Sequence, residues 1–276
     1  MGLRRLLKHI LPTSSKHDWS VELSKLEKNS LLGITSAGKK DGGGAQVHAV
    51  MSAILFSRAT GIPYFHTPFK SVEHGGDPAL FACRWEKSFN LGAGSPGLPQ
   101  GIPIIPGDVF SKGYRGPPAI VEQQHFHAFA DENPDFYRGI VDEFRARLTL
   151  PPRSYSSPTI AVHARRGDVV GAPAHAERLT GNAVIARRIE SVLRDHPGHS
   201  VRVFSQGNAS DFQPLPGICE FELDSDIFAT LSGLIHADCL IMAKSSLSYV
   251  AGLLSKGAVY YEPFWHKPLS SWQEVS

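Results

Sequence analysis

Apolar residues along this chain follow two alternating patterns, one typical of buried strands and one typical of helices. Short apolar runs bounded by turn residues predict strands, whereas apolar residues three and four positions apart predict amphipathic helices. The predicted strands cover 30–36, 62–66, 102–105, 159–163, 201–205, 220–223, 239–243 and 258–262. The predicted helices cover 47–60, 77–88, 133–148, 182–195, 226–236 and 246–254. Strands that alternate with helices in this way indicate an α/β protein with parallel sheets and right-handed crossovers.

A segment rich in proline and serine, 151–158, interrupts this alternation and predicts a linker. We therefore expect an N-terminal domain over 1–152 and a C-terminal domain over 153–276, each built on a Rossmann-like parallel sheet. Two such domains facing each other would enclose a cleft, which is where α/β proteins tend to bind their ligands.

Composition narrows the classes of function that fit this chain. Its 276 residues suffice for one large or two ordinary domains, and 42% hydrophobic residues are typical of a globular protein. A net charge of +2, without a long basic run, argues against a nucleic-acid partner. The cysteines Cys83, Cys219 and Cys239 lack the spacing of metal ligands, so we expect a reducing compartment rather than a disulfide scaffold.

The N-terminus carries the sequence evidence on localisation. No apolar stretch is long enough to span a membrane, and Arg4, Arg5 and Lys8 interrupt any signal-peptide core, so we expect a cytoplasmic protein. Residues 3–11 place their apolar side chains on one helical face, which would suit peripheral contact with an anionic membrane. A frayed terminal helix is the alternative interpretation of such a short segment.

The segment from His163 to Asp168 (HARRGD) is the strongest chemical signal in the chain. It places two adjacent arginines directly after a buried strand, and removing guanidinium groups from water without partners is costly. The usual reason for such a pair is an anion such as phosphate, which the planar donor fork of arginine binds in a bidentate manner. Asp168 could hold one arginine in place while the other faces the ligand, although a surface ion pair between arginine and Asp168 is the alternative interpretation.

Two further segments fall at predicted strand-to-helix turns, the positions where open α/β sheets bind ligands. The glycines of the segment 42–48 (GGGAQVH) would let the backbone approach a ligand closely, although a tight turn would also explain them. The segment 244–249 (KSSLSY) delivers hydroxyl groups to the start of a helix. Those hydroxyls could cap the helix, receive a phosphate, or do both.

Together these three segments resemble the motifs of the α1,2-, α1,6- and protein O-fucosyltransferase superfamily, and they occur in the order found in that family. The segment 163–168 resembles its H-x-R-R-x-D motif, 42–48 its glycine-rich opening, and 238–249 (DCLIMAKSSLSY) its third motif. The resemblance implies a GT-B-like fold with an N-terminal domain on the acceptor side and a C-terminal donor domain. It also implies an inverting transfer of fucose from GDP-fucose to a glycan or protein hydroxyl, with no metal and no cofactor.

The resemblance also implies roles for individual residues. Arg165 and Arg166 would neutralise the β-phosphate of the GDP leaving group, and His163 would lie beside the nucleotide, so these three form the predicted catalytic set. The remaining predicted donor-binding residues are Gly43, Gly44, Gln46, Asp168, Ser205, Asp226, Ser245 and Ser246. Asp226 is equally suited to cap a helix, so its place at the guanine base is an alternative rather than a derivation.

Other functions remain open at this stage. The same scaffold could use another nucleotide sugar, or the chain could bind a nucleotide or glycan without turnover. Sulfotransfer from a nucleotide donor would also use arginines and hydroxyls. It normally requires a phosphate-binding loop with a basic residue near the N-terminus, and the segment around Lys39 and Lys40 matches such a loop poorly. Candidates for a general base are His74, Asp77, His175 and Glu177. The sequence does not identify the acceptor.

Overall fold

A computed structural model of the chain describes residues 31–112, 114–171, 173–215, 217 and 219–275. The chain forms two compact units, unit 1 up to Leu148 and unit 2 from Thr149 to the C-terminus. The boundary predicted from the linker lies at 152/153, and the acceptor and donor roles of the two domains stay predictions. The amphipathic segment 3–11 lies outside the described residues, so membrane contact through it also stays a prediction.

Unit 1 is built around a small parallel sheet and one long buried helix. Its strands and helices are β1 (Leu31–Ser36), α1 (Gly43–Thr60), α2 (Pro78–Phe89), β2 (Ile104–Pro106), α3 (Gly107–Ser111), β3 (Ala119–Gln123), α4 (His127–Glu132) and α5 (Val141–Arg147). The strand order is β1-β3-β2, and both strand pairs are parallel. Fifteen of the 18 residues of α1 are buried, which makes this helix the centre of the unit's core.

Unit 2 contains the larger sheet. Its strands and helices are β4 (Thr159–His163), α6 (Asn182–Asp195), β5 (Ser200–Ser205), β6 (Cys219–Leu223), α7 (Ile227–His236), β7 (Cys239–Ile241), α8 (Ser246–Leu254), β8 (Ala258–Tyr261) and β9 (Gln273–Glu274). The strand order is β6-β5-β4-β7-β8-β9, and all neighbouring strands are parallel. If β4 is counted as strand 1 and the others follow in chain order, this is the 3-2-1-4-5-6 order of a Rossmann fold.

Local sequence explains where the elements of unit 2 begin and how they pack. The side chains of Asp226 and Ser245 accept hydrogen bonds from the first turns of α7 and α8, which fixes where these helices start. The central strands read as continuous apolar runs because helices cover both faces of a parallel sheet. Ile160 of β4, Val203 of β5 and Ile189 of α6 belong to one hydrophobic core, and each is at most 1% exposed.

Several elements differ from the sequence prediction, and the short helices α3 and α4 are among those not predicted. The predicted strand 62–66 contributes only isolated bridges at Tyr64 and His66. The predicted helix 133–148 is divided into a 3-10 turn, Pro134–Gly139, and α5, because Gly139 has low helix propensity at the division. The short strands β3 and β9 were not predicted, since five and two residues carry too little periodicity to identify a strand.

The predicted fold class is confirmed: the protein is α/β, with two units that each contain a Rossmann-like parallel sheet. Among the described residues, no helix combines the length and the apolar character needed to cross a membrane.

Candidate functional site

The sheet of unit 2 has a topological switch point between β4 and β7. Strands β5 and β6 extend the sheet on one side of β4, while β7, β8 and β9 extend it on the other. Because the crossovers leave neighbouring strands in opposite directions, a crevice opens at the carboxyl ends of β4 and β7, where ligands of this fold bind. The segments 163–168 and 244–249 both begin there, so the fold brings these two predicted motifs together.

A hydrogen bond joins the two segments directly. Nδ1 of His163, the last residue of β4, contacts Oγ of Ser248 in α8. The backbone N–H of Ala243 donates to the same hydroxyl at 3.2 Å. Burial, together with the positive charge of Arg165, lowers the pKa of His163 to about 4. At neutral pH the imidazole is therefore an uncharged hydrogen-bonding group held between the two motifs.

The two arginines differ in how their charge is compensated. Arg165 donates from Nε to Asp168 Oδ1 at 3.3 Å and from a terminal nitrogen to Oδ2 at 2.6 Å. This bidentate pair is partly buried, with 19% and 29% of the two side chains exposed. The predicted contact of Asp168 with one arginine of the pair is present, and that arginine is Arg165.

Arg166 is held by neutral groups instead. One terminal nitrogen donates to the carbonyl of Arg165 at 2.8 Å, and the other donates to Oδ1 of Asn182 at 2.6 Å. Its guanidinium carbon lies 5.3 Å from the ring centre of Phe212. Within the described ranges, Arg166 forms no ion pair with a carboxylate; burial lowers its pKa, and Asp211 offsets this at longer range. Arg166 is thus a half-buried, fixed cation without a bonded counter-ion.

The backbone around the arginines is shaped by neighbouring residues. Gly167 has φ of +57°, a left-handed backbone conformation that favours glycine. Ser205, at the end of β5, donates its hydroxyl to the carbonyl of Ala164. The predicted donor-binding residue Ser205 therefore lies beside the arginine segment and connects it to β5.

The hydroxyl segment lies across the crevice at the start of α8. Ser245 is buried, and its hydroxyl accepts from the N–H of Leu247 at 3.2 Å, so the capping interpretation of this residue holds. Ser246 is the first residue of α8 and is half-buried. Backbone N–H groups at a helix start carry partial positive charge and bind anions. A phosphate contact by Ser245 or Ser246 stays a prediction.

A buried carboxylate supports the same region. Glu262 directly follows β8, is 3% exposed, and pairs with Arg188 of α6 at 3.0 Å. Thr180 Oγ1 lies 2.7 and 2.8 Å from its two oxygens. Lys244 Nζ lies 3.8 Å from Glu262 and donates to the carbonyl of Glu177 at 3.0 Å. Lys244 is therefore fixed next to the serines that open α8.

The glycine-rich turn of unit 1 uses its motif residues for packing. A Cβ atom on Gly43 would lie 2.0 Å from Cε2 of Trp85, so the absence of a side chain lets the indole pack against α1. Gln46 is 2% exposed, and its Nε2 donates to the carbonyls of Asp41 at 2.7 Å and Ser71 at 2.9 Å. Gly44 is buried in the first turn of α1. The predicted place of these residues at the donor sugar stays a prediction.

The remaining predicted residues have local tasks. The carboxylate of Asp226 is exposed and accepts from the N–H of Phe228 at 3.0 Å, which is the capping role weighed against guanine recognition. Asp77, a candidate base, caps α2 in the same way. The side chain of His175 lies outside the described residues.

Sequence reasoning missed Asn182 and Ser248, which contact the predicted catalytic residues. Asn182 begins α6, and its amide nitrogen also donates to the carbonyls of Asp211 and Gln213. An asparagine at a helix start normally indicates a cap, which hides its function as an anchor for Arg166. Ser248 lies within the segment 238–249, but its partner His163 is 85 residues earlier in the chain.

Comparisons with known proteins add a likeness of fold. No protein-family model matches the chain, and no curated protein matches it in sequence. Fucosyltransferase NodZ from Bradyrhizobium is similar in structure at 14% identity and a TM-score of 0.44, over 81% of this chain and 93% of that one. A mutant of Arabidopsis thaliana FUT1 in complex with GDP is similar at 14% identity and a TM-score of 0.47, over 97% and 78%. E. coli heptosyltransferase WaaC with ADP is similar at 13% identity and a TM-score of 0.39, over 84% of this chain and 87% of that one.

Proposed function

We propose that this protein is a glycosyltransferase that binds the diphosphate of a nucleotide sugar at the switch point of unit 2. The observation that carries the proposal is Arg166, a half-buried guanidinium that neutral groups hold in place and that no carboxylate pairs with in the described structure. A fixed, partly desolvated cation at the carboxyl edge of a Rossmann sheet favours an anionic ligand.

The chemistry of sugar transfer from a nucleotide sugar explains why such a cation is useful. The bond from the anomeric carbon to the β-phosphate oxygen breaks, and negative charge develops on the departing nucleoside diphosphate. A preorganised cation stabilises that charge in the transition state and requires no reorganisation when the bond breaks. Arg166 supplies the cation, and the N–H groups at the start of α8 supply further donors for the phosphates.

The other predicted catalytic residues complete the proposed site. Arg165 retains N–H donors beyond the two that Asp168 accepts, so it can contact a phosphate while it is held in orientation. His163 is neutral because burial lowers its pKa, and it therefore offers hydrogen bonding rather than charge to the nucleotide. In this proposal the arginines carry out the charge stabilisation that a metal ion performs in other transferases.

We propose GDP-fucose as the donor and fucose as the transferred sugar, on the resemblance of 42–48, 163–168 and 238–249 to the fucosyltransferase motifs. Inversion, transfer to a glycan or protein hydroxyl, a GT-B-like cleft and an acceptor side in unit 1 belong to the same proposal. The capping role of Asp226 favours one alternative, a different nucleotide-sugar donor on the same scaffold, because the carboxylate expected at the guanine base already has a structural task.

Thermal stabilisation by a panel of nucleotides tests this proposal. GDP, UDP, CMP, ADP and 3′,5′-ADP are added without metal to the wild type, to Arg166→Ala, and to Arg187→Ala, which removes an exposed arginine of α6. A ligand that binds only the folded state raises the unfolding midpoint. We expect GDP to raise it in the wild type and in Arg187→Ala, but not in Arg166→Ala.

The other outcomes separate the alternatives. Selective stabilisation by UDP, CMP or ADP would keep the site and reject fucose transfer from GDP-fucose. Stabilisation by 3′,5′-ADP alone would indicate sulfotransfer. Stabilisation by GDP without release of GDP from GDP-fucose in the presence of glycan and protein acceptors would indicate a binding protein without turnover. No shift with any nucleotide would reject the proposed function.

A further inference from the structure

A cluster of three potential metal ligands lies at the amino edge of the sheet in unit 2. His196 follows the end of α6, His199 precedes the first residue of β5, and Cys239 is the first residue of β7. One ligand atom from each side chain lies within 4.8 Å of the others. In the sequence β5, β6 and α7 separate Cys239 from the two histidines, and the sheet topology brings the three residues together.

The surroundings of the cluster suit a metal ion of intermediate softness. Cys239 is 1% exposed and belongs to the apolar core between α6 and the sheet, whereas both histidines are half-buried and accessible to solvent. Zinc binds histidine nitrogen at about 2.0–2.1 Å and cysteine sulfur at about 2.3 Å, which sets the ligand atoms of a tetrahedral site with one sulfur roughly 3.3–3.6 Å apart. An imidazole movement of about 1 Å would bring the observed spacing into that range.

The hydrogen bonding of the histidines provides an independent observation. Nδ1 of His199 is shielded from solvent and has no hydrogen-bond partner among the described residues. A buried ring nitrogen without a partner is costly, and a bound metal ion would compensate for it. Nε2 of His196 contacts the hydroxyl of Tyr260 at 2.8 Å. A polar partner on one ring nitrogen is the arrangement that orients a histidine for metal binding through the other.

We propose that His196, His199 and Cys239 bind one Zn²⁺ ion, with water in the fourth position. Ligation converts the Cys239 thiol to a thiolate and releases its proton to solvent. The ion would connect the loop between α6 and β5 to β7, and so fasten a crossover to the sheet.

The proposed zinc site is separate from the proposed nucleotide site. Cys239 opens β7, and its partner Ile160 lies near the start of β4, whereas His163 lies at the carboxyl end of β4. Three residue steps of about 3.3 Å each separate Ile160 from His163, or roughly 10 Å along the strand. The ion would therefore lie outside the nucleotide site, and its loss should leave nucleotide binding by the folded protein intact.

Titration of the metal-free protein with Co²⁺ and Zn²⁺ tests the site. In the wild type we expect one ion per chain, d–d absorption bands of tetrahedral Co²⁺, and a near-ultraviolet sulfur-to-cobalt charge-transfer band that Zn²⁺ abolishes by displacement. In His199→Gln and Cys239→Ala we expect Zn²⁺ affinity to fall by at least about 10–100-fold, the loss that even outer partners of metal ligands cause. In Cys239→Ala the charge-transfer band disappears.

Cys219→Ala and His236→Gln are the matched controls, since both residues lie in unit 2 outside the cluster, and both variants should bind Zn²⁺ like the wild type. The wild-type spectrum decides the question even if a variant fails to fold, because a chain without a thiolate-to-cobalt band contradicts the proposal. Unchanged Zn²⁺ affinity in folded His199→Gln or Cys239→Ala would also overturn it.

Discussion

The turn after β1 in unit 1 and the turn after β4 in unit 2 both lead from a parallel strand into motif residues, yet their polar groups are engaged differently. In unit 1, Gly43 makes room for Trp85, and the amide of Gln46 is bonded to two backbone carbonyls. In unit 2, Asp168 pairs with Arg165, but Arg166 keeps a charge that no described carboxylate pairs with. In the first turn Gly43 and Gln46 are engaged within the protein, whereas in the second turn Arg166 retains capacity for an anion.

This difference shows that two segments can resemble family motifs equally well while only one of them keeps groups that can bind a ligand. A glycine can provide space for a neighbouring ring as well as for a ligand, and a buried amide can bind the backbone as well as a sugar. An arginine held by neutral groups at a sheet edge has fewer alternative explanations, because burying an unpaired charge is costly unless a ligand compensates for it. Arg166, and not the glycines, is therefore the evidence for a ligand site.

The largest effect on stability is expected for Gly43→Ala. The new Cβ would lie 2.0–2.4 Å from ring atoms of Trp85, which is 1% exposed and has no room to move. Overpacking of this kind should lower the free energy of unfolding by about 3 kcal/mol or more. Urea unfolding, read from the transition midpoint at unchanged slope, measures the change.

Gly42→Ala is the matched control, because its Cβ would come no closer than 3.9 Å to His74. We expect it to cost less than about 1 kcal/mol, the usual range for an alanine at this capping position. If Gly43→Ala were as stable as Gly42→Ala but lost nucleotide binding, the glycine turn would be a ligand site, and the contrast between the two units would be wrong.

A smaller effect is expected from the titration of His163. Burial and then Arg165 lower its pKa from 6.5 to about 4 in the folded state, so the unfolded chain binds the proton more tightly. The stability that this group contributes is complete above about pH 6.5, decreases as the pH falls, and is lost below about pH 4. A pKa difference of this size corresponds to at most about 3 kcal/mol.

Urea unfolding between pH 7 and pH 4 measures this dependence in the wild type and in His163→Asn. The free-energy advantage of the wild type over the variant should shrink as the pH falls. His74→Gln removes an exposed histidine and should keep the wild-type dependence. Parallel curves for wild type and His163→Asn would show that His163 is not buried beside the arginines as described.

The sequence was sufficient to predict much of the fold of unit 2. The bounds predicted for α6 and α8 agree with the structure, because both helices combine clear apolar periodicity with recognisable ends. The meeting of the segments 163–168 and 244–249 also follows from the alternation of strands and helices. In unit 1, the short β3 and the interrupted helix at Gly139 escaped prediction, since tertiary contacts decide such weak local signals.

The details of the site depend on contacts that no local pattern encodes. Asn182 lies 16 residues after Arg166 and begins a helix, so its sequence position indicates only capping. Likewise, Cys239 shows no metal-ligand spacing along the chain and lies beside His196 and His199 only because the sheet orders its strands as it does. Only the structure shows that Asp168 pairs with Arg165 and that neutral groups hold Arg166.

Isothermal titration of GDP and GMP into the wild type, Arg166→Ala and Arg187→Ala tests the central claim most directly, because the two ligands differ only in the β-phosphate. We expect the wild type and Arg187→Ala to bind GDP more tightly than GMP. In Arg166→Ala, GDP affinity should fall about 10–100-fold, the loss expected when a hydrogen bond between charged groups is removed, while GMP affinity changes little. A preference for GDP over GMP that survives unchanged in folded Arg166→Ala would contradict the assignment of the β-phosphate to Arg166.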